Sequence, residues 1–347
     1  MNDVVRIDEV LPDIENWLII DVRSPLEFLA GHIPGAVNIP LFSDEERARV
    51  GTLYKQVSPE TAMKEGLQIA GSKMNLLLEQ AAPFLRNSKK QTLIHCWRGG
   101  KRSEAVRWLF SFSGITSVKL EGGYKSFRNS ALSFFNLIPN ELRILGGFTG
   151  SGKTEILNEL AARGHQVIDL ENLAHHKGSA FGSIGQKEQP SNEQFENNLF
   201  KAFLSLDPTK PIWLENESKS IGKVYVPDGL WKRMKDSMLY NIEVDKETRL
   251  DRILKDYADP SSGEMLKESF DKIYDRLGGL EHKNAIQALA GGDLRLAASI
   301  ALRYYDKAYA FQVAHWSKDH ILHFQDCRGV SAAADSLLEG KKVFIND

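Results

Sequence analysis

Residues 142–154 read LRILGGFTGSGKT, and this stretch decides the fold expected for the second half of the chain. The apolar segment 143–146 predicts a β-strand, and Gly147–Thr154 then has the G-x4-G-K-T spacing of a phosphate-binding loop, or P-loop. Apolar residues at helical spacing follow and predict a helix that ends at Gly164. Strand, glycine loop and helix in this order predict an α/β domain that binds phosphate.

The P-loop predicts its own ligand contacts. In such a loop the backbone N–H groups and the helix N-terminus hold phosphate, the lysine neutralises charge, and the threonine can reach a metal ion. The expected diphosphate-binding residues are Gly147, Thr149, Gly150, Ser151, Gly152, Lys153 and Thr154. The loop recognises a diphosphate, so ATP is one of several organic diphosphates that it could bind.

The rest of the second half extends this α/β pattern. Further strands are expected at 166–170 and 211–215, and Asp169 and Glu215 at their ends are candidates for positioning a metal ion such as Mg²⁺ or the substrate, with Glu217 an alternative to Glu215. From about residue 246 helical patterns dominate, with one more strand expected at 321–324.

The first half of the chain also alternates strands and helices. Short apolar segments predict buried strands at 17–22, 37–39, 92–95 and 118–120. Helical spacing predicts a helix over 75–85 and another after residue 103. This alternation predicts a first domain with a parallel sheet.

A cysteine lies in the loop after the third of these strands, where residues 94–103 read IHCWRGGKRS. A thiol reacts as the thiolate, which positive charge and backbone N–H groups stabilise. Paired glycines allow such an N–H nest, and the next helix presents its positive N-terminus. Cys96 is therefore the candidate nucleophile, with Arg98, Gly99, Gly100, Lys101 and Arg102 as the anion-binding residues of the loop.

The first half resembles the rhodanese (sulfurtransferase) family. The resemblance rests on DVRSPLEF at 21–28 and GHIPGAVNIP at 31–40, and it places Cys96 where that family carries its persulfide. Cys96 and Arg102 also satisfy the Cys-x5-Arg pattern of rhodanese-related phosphatases and arsenate reductases, in which the arginine holds a phosphate. Loop length alone leaves both readings open.

Composition limits the classes of function. The chain has 347 residues and a formal net charge of −2, so RNA would have to bind to local basic patches. No signal peptide or membrane-spanning segment is apparent, and two cysteines are too few for a disulfide framework or a structural zinc site. We therefore expect a cytoplasmic protein without membrane association.

Local basic clusters are the candidates for RNA contact. They lie in the second domain at Lys219, Lys223, Lys232, Arg233 and Lys235, and Arg249, Arg252 and Lys255 continue them at helical spacing. Lys125 and Arg128 in the first domain are further candidates. A Gly/Ser-rich loop, HHKGSAFG at 175–182, fits either a lid over phosphates or an ordinary surface loop.

The chain as a whole resembles the tRNA 2-selenouridine synthase family. Beyond the cysteine loop and the P-loop, DLENLAHHKGS at 169–179 and ENESKSIG at 215–222 carry the resemblance. It implies a transferase that converts wobble 2-thiouridine in tRNA to 2-selenouridine through S-geranyl-2-thiouridine. It also implies selenophosphate and geranyl diphosphate as co-substrates, no tightly bound cofactor, and a Cys96 that carries selenium as a selenopersulfide or attacks selenophosphate.

The expected organisation follows from these two resemblances. We predict a rhodanese-like domain over 1–130, a linker over 131–141, a P-loop domain over 142–245, and a mostly helical region over 246–347 packed on the P-loop domain. Two other functions stay open: a Cys-x5-Arg phosphatase or arsenate reductase, and a non-catalytic P-loop switch protein. The sequence leaves the oligomeric state open.

Overall fold

The fold is given by a computed structural model that describes residues 3–86, 88–256, 263–325 and 329–339. The contacts divide the chain into two compact units. The first comprises Met1–Phe135 with Ser191–Leu204, and the second comprises Asn136–Pro190 with Ser205–Asp347. Cys327 lies outside the described residues.

The first unit is built on a parallel sheet of five strands. These are β1 (Val4–Val5), β2 (Trp17–Asp21), β3 (Val37–Asn38), β4 (Gln91–His95) and β5 (Val118–Leu120), in the order β1-β5-β4-β2-β3. Ile19 and Ile20 of β2 and Leu93 and Ile94 of β4 are buried, as expected for central strands of a parallel sheet that is covered on both faces. The predicted sheet is confirmed.

Helices connect these strands. They are α1 (Ile7–Val10), α2 (Pro25–Ala30), α3 (Asp44–Gln56), α4 (Pro59–Ser72), α5 (Met74–Arg86), α6 (Lys101–Phe112) and α7 (Gly123–Phe134). The sequence predicted α5 and α6 but not α3, which buries no residue fully and so lacks a clear apolar face. Its start is instead set by a capping box between Ser43 and Glu46.

The second unit contains a second parallel sheet. Its strands are β6 (Leu142–Gly147), β7 (Gln166–Ile168), β8 (Ile212–Glu215), β11 (Met238–Ile242) and β12 (Ile321–Phe324), in the order β12-β11-β6-β8-β7, and β9 (Ser220–Ile221) pairs with β10 (Val224–Tyr225) in a short antiparallel ribbon. The central position of β6 places the P-loop at the carboxyl edge of this sheet. Strand β11 was not predicted, although it lies directly beside β6.

The helices after β6 complete the fold. They are α8 (Lys153–Ala162), α9 (Leu170–Ala174), α10 (Asn192–Leu204), α11 (Asp228–Lys235), α12 (Lys246–Asp256), α13 (Gly263–Lys272), α14 (Tyr274–Leu277), α15 (Gly279–Ala290), α16 (Leu294–Val313) and α17 (Val330–Glu339). The helical character predicted for the C-terminal region is confirmed. This region also adds β12 to the second sheet.

Two features of the chain differ from the domain boundaries that the sequence suggested. Helix α10 lies inside the predicted P-loop segment but packs with the first unit, where Phe200 contacts Phe127 at a ring-centroid distance of 5.6 Å. The predicted linker 131–141 begins inside α7, because Ala131 is fully buried on the inner face of that helix. Burial of apolar side chains therefore extends the first unit at both places.

Candidate functional sites: the cysteine loop and the phosphate-binding loop

Cys96 directly follows β4, as predicted, and its side chain is buried. Its Sγ lies 3.3 Å from Oγ of Ser103, whose hydroxyl donates to the carbonyl of Gly100 at 3.0 Å. Because that hydroxyl proton is already used, the thiol donates to Ser103 in this arrangement. A thiolate would be stabilised if the serine hydroxyl turned toward sulfur, so Ser103 is a contact of Cys96 that the sequence reading missed.

Close backbone packing fixes the cysteine loop. Gly99 has φ +63°, and a Cβ atom there would lie 2.5 Å from the carbonyl oxygen of Leu120. A Cβ on Gly123, at φ +61°, would lie 2.3 Å from the carbonyl oxygen of Cys96. Only glycine fits at either position, so the loop is held against the start of α7.

The three predicted cations of the loop lie in different environments. Arg98 and Lys101 are exposed, whereas Arg102 is half-buried and paired with Glu27, with Nη2 3.3 Å from Oε1. Although burial opposes it, the hydrogen bond and charge of Arg102 hold the pKa of Glu27 below its ordinary value. The guanidinium is thus already neutralised, which is unfavourable for the phosphate-holding role that a Cys-x5-Arg phosphatase requires.

A buried polar cluster lies beneath the cysteine loop. Arg23 is almost fully buried, donates to both carboxylate oxygens of Asp21, and has its Cζ 3.9 Å from the ring centroid of Tyr124. His95 is buried with Nε2 3.8 Å from an Asp21 oxygen, and burial lowers the pKa of its imidazole despite that carboxylate. These groups tie the ends of β2 and β4 together and support the loop from below.

The P-loop has the conformation that its glycines allow. Gly150 and Gly152 have φ +79° and +85°, in the left-handed region that disfavours other residues. Lys153 donates from Nζ to the carbonyl of Gly147 at 3.0 Å. The buried hydroxyl of Ser151 has no hydrogen-bond partner within the part of the chain that the structure describes. Buried polar groups are normally paired, so this hydroxyl is available to a phosphate oxygen.

Two arginines of α12 support the P-loop from behind. Arg249 is buried, makes a bidentate pair with Asp306 at 2.8 and 2.9 Å, and donates to the carbonyl of Thr149 at 3.2 Å. Arg252 donates to the carbonyl of Ser151. The sequence reading grouped both with the RNA-binding cluster, and this is wrong for Arg249, because burial and its pair with Asp306 withdraw it from solvent.

Asp169 and Glu215, the acidic residues predicted to position a metal ion or the substrate, each bind a backbone N–H group. Asp169 caps α9 by accepting from the N–H of Asn172 at 2.7 Å, and Glu215 is fully buried and accepts from the N–H of Leu170 at 3.0 Å. Burial, with the nearby charge of Asp169, raises the pKa of Glu215 well above its ordinary value. Both side chains therefore bind backbone N–H groups.

The carboxyl of Glu171 lies beside the P-loop, with its Oε2 3.4 Å from Oγ1 of Thr154. Burial, and then the charge of Glu217, raise the pKa of Glu171 to about 8. Glu171 and Glu217 both lie against Gly178, where a Cβ atom would be 3.0 and 2.4 Å from their carboxylate oxygens. Among the described residues no group of His, Cys, Asp and Glu side chains has the arrangement of a metal site.

The Gly/Ser-rich loop 175–182 is partly buried within the second unit. His176 is buried and its N–H donates to the carbonyl of Glu171 at 3.0 Å, while burial lowers the pKa of its imidazole. His175 adopts φ +51° at the end of α9 and contacts the carbonyl of Glu188 through Nδ1 at 2.8 Å. This arrangement brings the loop beside the carboxyl pair Glu171 and Glu217.

The predicted RNA-binding cations divide by environment. Lys223, Lys232 and Arg233 are exposed, whereas Lys219 is paired with Asp228. Lys235 lies against two tryptophan rings, with Nζ 4.5 Å from the ring centroid of Trp231 and 4.0 Å from that of Trp316, and burial lowers its pKa to about 8.

Lys223, Lys232 and Arg233 are therefore better candidates for contact with RNA phosphates than Lys219 and Lys235.

Within the described ranges no helix is long and apolar enough to cross a membrane.

The fold and the two loops define a class: a rhodanese-type domain joined to a P-loop domain. A profile of the rhodanese-like domain matches residues 8–130, and one described as the tRNA 2-selenouridine synthase AAA domain matches residues 140–338.

Curated relatives of this chain carry the name tRNA 2-selenouridine synthase. The Nitrosomonas europaea protein is 35% identical over 79% of this chain and 77% of its own length, and that of Pseudomonas fluorescens strain Pf0-1 is 34% identical over 85% and 88%. The Shewanella denitrificans protein is 31% identical over 92% and 94%. The chain belongs to the tRNA 2-selenouridine synthase family and is an enzyme, a transferase.

Proposed function

We propose that this enzyme converts 2-thiouridine at the wobble position of tRNA to 2-selenouridine in two steps, the first on the P-loop unit and the second involving Cys96. The observation that carries the proposal is family membership along nearly the whole chain, which supports tRNA as the substrate and selenouridine as the product. The two loops supply complementary chemistry for the two steps.

In the first step, geranyl diphosphate alkylates the thiocarbonyl sulfur. The sulfur attacks the allylic carbon, the carbon–oxygen bond breaks, and inorganic diphosphate leaves as N3 of the base loses its proton. Lys153 and the N–H groups of the loop stabilise the charge that develops on the leaving diphosphate. The thioether is a far better leaving group than the original thiocarbonyl sulfur.

In the second step, selenium from selenophosphate adds to C2 and geranylthiol leaves. Water takes the phosphoryl group, so one phosphate is released and N3 regains a proton. Selenium stays at the selenide level, and the net exchange needs no oxidant or reductant. We assign the reaction with selenophosphate to Cys96, because a thiol can act as the nucleophile and this one lies in the tight loop after β4. Arg98 and Lys101 of the same loop are exposed.

The form in which Cys96 acts is open to a direct test. Forming a selenopersulfide from the Cys96 thiol and selenide-level selenium removes two electrons, so that route needs an oxidant to load the selenium and a thiol reductant to release it as selenide. Attack of the Cys96 thiolate on the phosphorus of selenophosphate breaks the phosphorus–selenium bond, releases selenide and leaves a phosphocysteine that water hydrolyses, so this route needs neither. Product formation with and without added thiol, at one selenophosphate concentration, separates the two routes.

The cations in the second unit support a role in holding tRNA. Lys223, Lys232 and Arg233 are exposed, and lysine or arginine contacts to phosphates make RNA affinity fall with salt. We propose that these three carry the contact. Their replacement with serine should flatten the salt dependence of tRNA binding, and an unchanged slope would remove them from the account.

The test of the whole proposal is nucleoside mass spectrometry of tRNA treated with the Cys96→Ala and Lys153→Ala variants. The Cys96 variant should accumulate S-geranyl-2-thiouridine and form no 2-selenouridine. The Lys153 variant should form little of either nucleoside. Unchanged 2-selenouridine in both variants would refute the proposal.

A further inference from the structure

An apolar cleft in the second unit opens beside the P-loop. The space between its walls is about 570 Å³ with open solvent included, and about 60 Å³ of it can hold the centres of water molecules. Its walls come from the loop 179–181, from α12, α13, α15 and α16, and from Thr149 of the P-loop itself. Because Thr149 belongs to both, a molecule held by the P-loop can extend directly into the cleft.

Helix α12 joins the two regions with opposite chemistry. Its Arg249 and Arg252 donate to carbonyls of the P-loop, while Ile253 and Leu254 line the cleft. The packing is tight, since a Cβ atom on Gly150 would lie 3.0 Å from Cδ1 of Ile253. One helix therefore positions both the phosphate-binding loop and the apolar wall next to it.

The walls of the cleft are fixed by aromatic packing. Phe181 packs edge-on against Phe270 with ring centroids 5.0 Å apart, and the hydroxyl of Tyr305 accepts from the N–H of Ala180 at 2.9 Å. The open space between these rings arises on α16, where Ala297, Ala298 and Ala301 present small side chains to the cleft. The cleft therefore lies between these small alanine side chains and the large aromatic rings of the other walls.

The chemistry of the lining selects a hydrocarbon. Of the fourteen lining residues only Thr149, Ser179 and Tyr305 have polar side chains, and the Tyr305 hydroxyl already accepts a hydrogen bond. A purine base placed here would leave most of its ring nitrogens without partners, at a substantial desolvation cost. A flexible hydrocarbon chain has no such requirement and gains from burial of each methylene group.

We propose that this cleft binds the hydrocarbon chain of a prenyl diphosphate whose diphosphate lies in the P-loop, and that Ala298 sets the room available to the chain. The inference rests on the proposed function, because it assigns a location to the co-substrate of the first step. It also explains how a P-loop can select a prenyl diphosphate rather than a nucleotide.

The test uses the full chain and calorimetric titration with inorganic diphosphate, geranyl diphosphate and geraniol. Ala298→Leu fills the cleft with three additional carbon atoms and should weaken geranyl diphosphate binding by roughly 50-fold, the transfer free energy of about three methylene groups. Inorganic diphosphate binding should not change, which also shows that the variant is folded. Geraniol, which lacks the diphosphate, should bind weakly to the unaltered protein and to the variant alike.

Two matched variants complete the design. Ala308→Leu makes the same change at an exposed position of α16 outside the cleft and should leave all three titrations unchanged. Leu254→Ala enlarges the cleft at a half-buried position and should raise the affinity for the fifteen-carbon farnesyl diphosphate relative to geranyl diphosphate.

The outcomes separate the two proposals. If Ala298→Leu binds geranyl diphosphate as the unaltered protein does, the chain lies elsewhere and this inference is overturned, while the proposed function stands. If the unaltered protein binds inorganic diphosphate but gains nothing from the geranyl chain, geranyl diphosphate is not the co-substrate and both fail.

Discussion

Replacement of Gly150 with alanine should disrupt the P-loop more than its conformation alone would predict. Gly150 has φ +79°, which costs a residue with a Cβ atom roughly 1–2 kcal/mol. The new Cβ would also lie 2.8 Å from the carbonyl oxygen of Arg249 and 3.0 Å from Cδ1 of Ile253. Overpacking of this kind costs roughly 1–3 kcal/mol more.

The chain offers a matched control at Gly164. This residue has φ +85° at the end of α8, and a Cβ atom there would meet nothing within 4 Å. Gly164→Ala therefore carries the conformational cost without the steric one. The difference in free energy of unfolding between the two variants, measured by urea titration, should be about 1–3 kcal/mol.

Diphosphate binding provides the second measurement. Relief of the contacts with α12 displaces the N–H groups of the P-loop, and each charge-assisted hydrogen bond lost is worth about 1.5–3 kcal/mol. Gly150→Ala should thus weaken inorganic diphosphate binding by at least about tenfold, and Gly164→Ala should leave it unchanged. Equal destabilisation of the two variants, with unchanged binding in both, would refute the role assigned to α12.

Two further predictions concern the buried polar groups. Because the pKa of Glu171 is raised to about 8, its carboxyl is neutral at pH 7 and becomes anionic above pH 8. The affinity for metal-free diphosphate beside Lys153 should therefore weaken by about tenfold as the pH rises through this range, and Glu171→Gln should remove the dependence. An affinity of the unaltered protein that does not change with pH would contradict this prediction. In the first unit the Tyr124 hydroxyl donates to Glu193 and accepts from Asn197, both at 2.7 Å. Tyr124→Phe should therefore lower the free energy of unfolding by about 1–2 kcal/mol and speed amide hydrogen exchange along α10. Unchanged exchange protection of α10 would show that these two hydrogen bonds do not hold the helix.

The sequence predicted those elements in which the local residue pattern matches the position of the element in the fold. The strands β2, β4 and β6 are short apolar runs bounded by turns, and both loops that follow them carry glycines that their backbone geometry requires. Cys96 and Lys153 were therefore located from residue type and spacing alone.

Other features depend on contacts between distant residues and have no local signal. Helix α10 belongs to the first unit because Phe200 and Asn197 contact α7, which no pattern within 192–204 indicates. Arg249 looks like one more surface cation until its pair with Asp306 is known. The apolar cleft likewise requires residues from six segments of the chain, so no local pattern in the sequence predicts its position.

The acidic residues illustrate a partial signal. Glu215 was selected because it ends a strand, yet its side chain points into the protein and binds a backbone N–H. Glu217, two residues later, lies with Glu171 beside Gly178. A carboxylate at a strand end can therefore be assigned a role only once it is known which side chains the sheet buries.

The most direct measurement of the central claim uses tRNA that already carries S-geranyl-2-thiouridine. With selenophosphate and no geranyl diphosphate, the Lys153→Ala variant should convert this tRNA to 2-selenouridine at the rate of the unaltered enzyme, and Cys96→Ala should not. Neither should act on 2-thiouridine tRNA under these conditions. Formation of 2-selenouridine directly from 2-thiouridine tRNA, or no product from the geranylated tRNA, would contradict the two-step account.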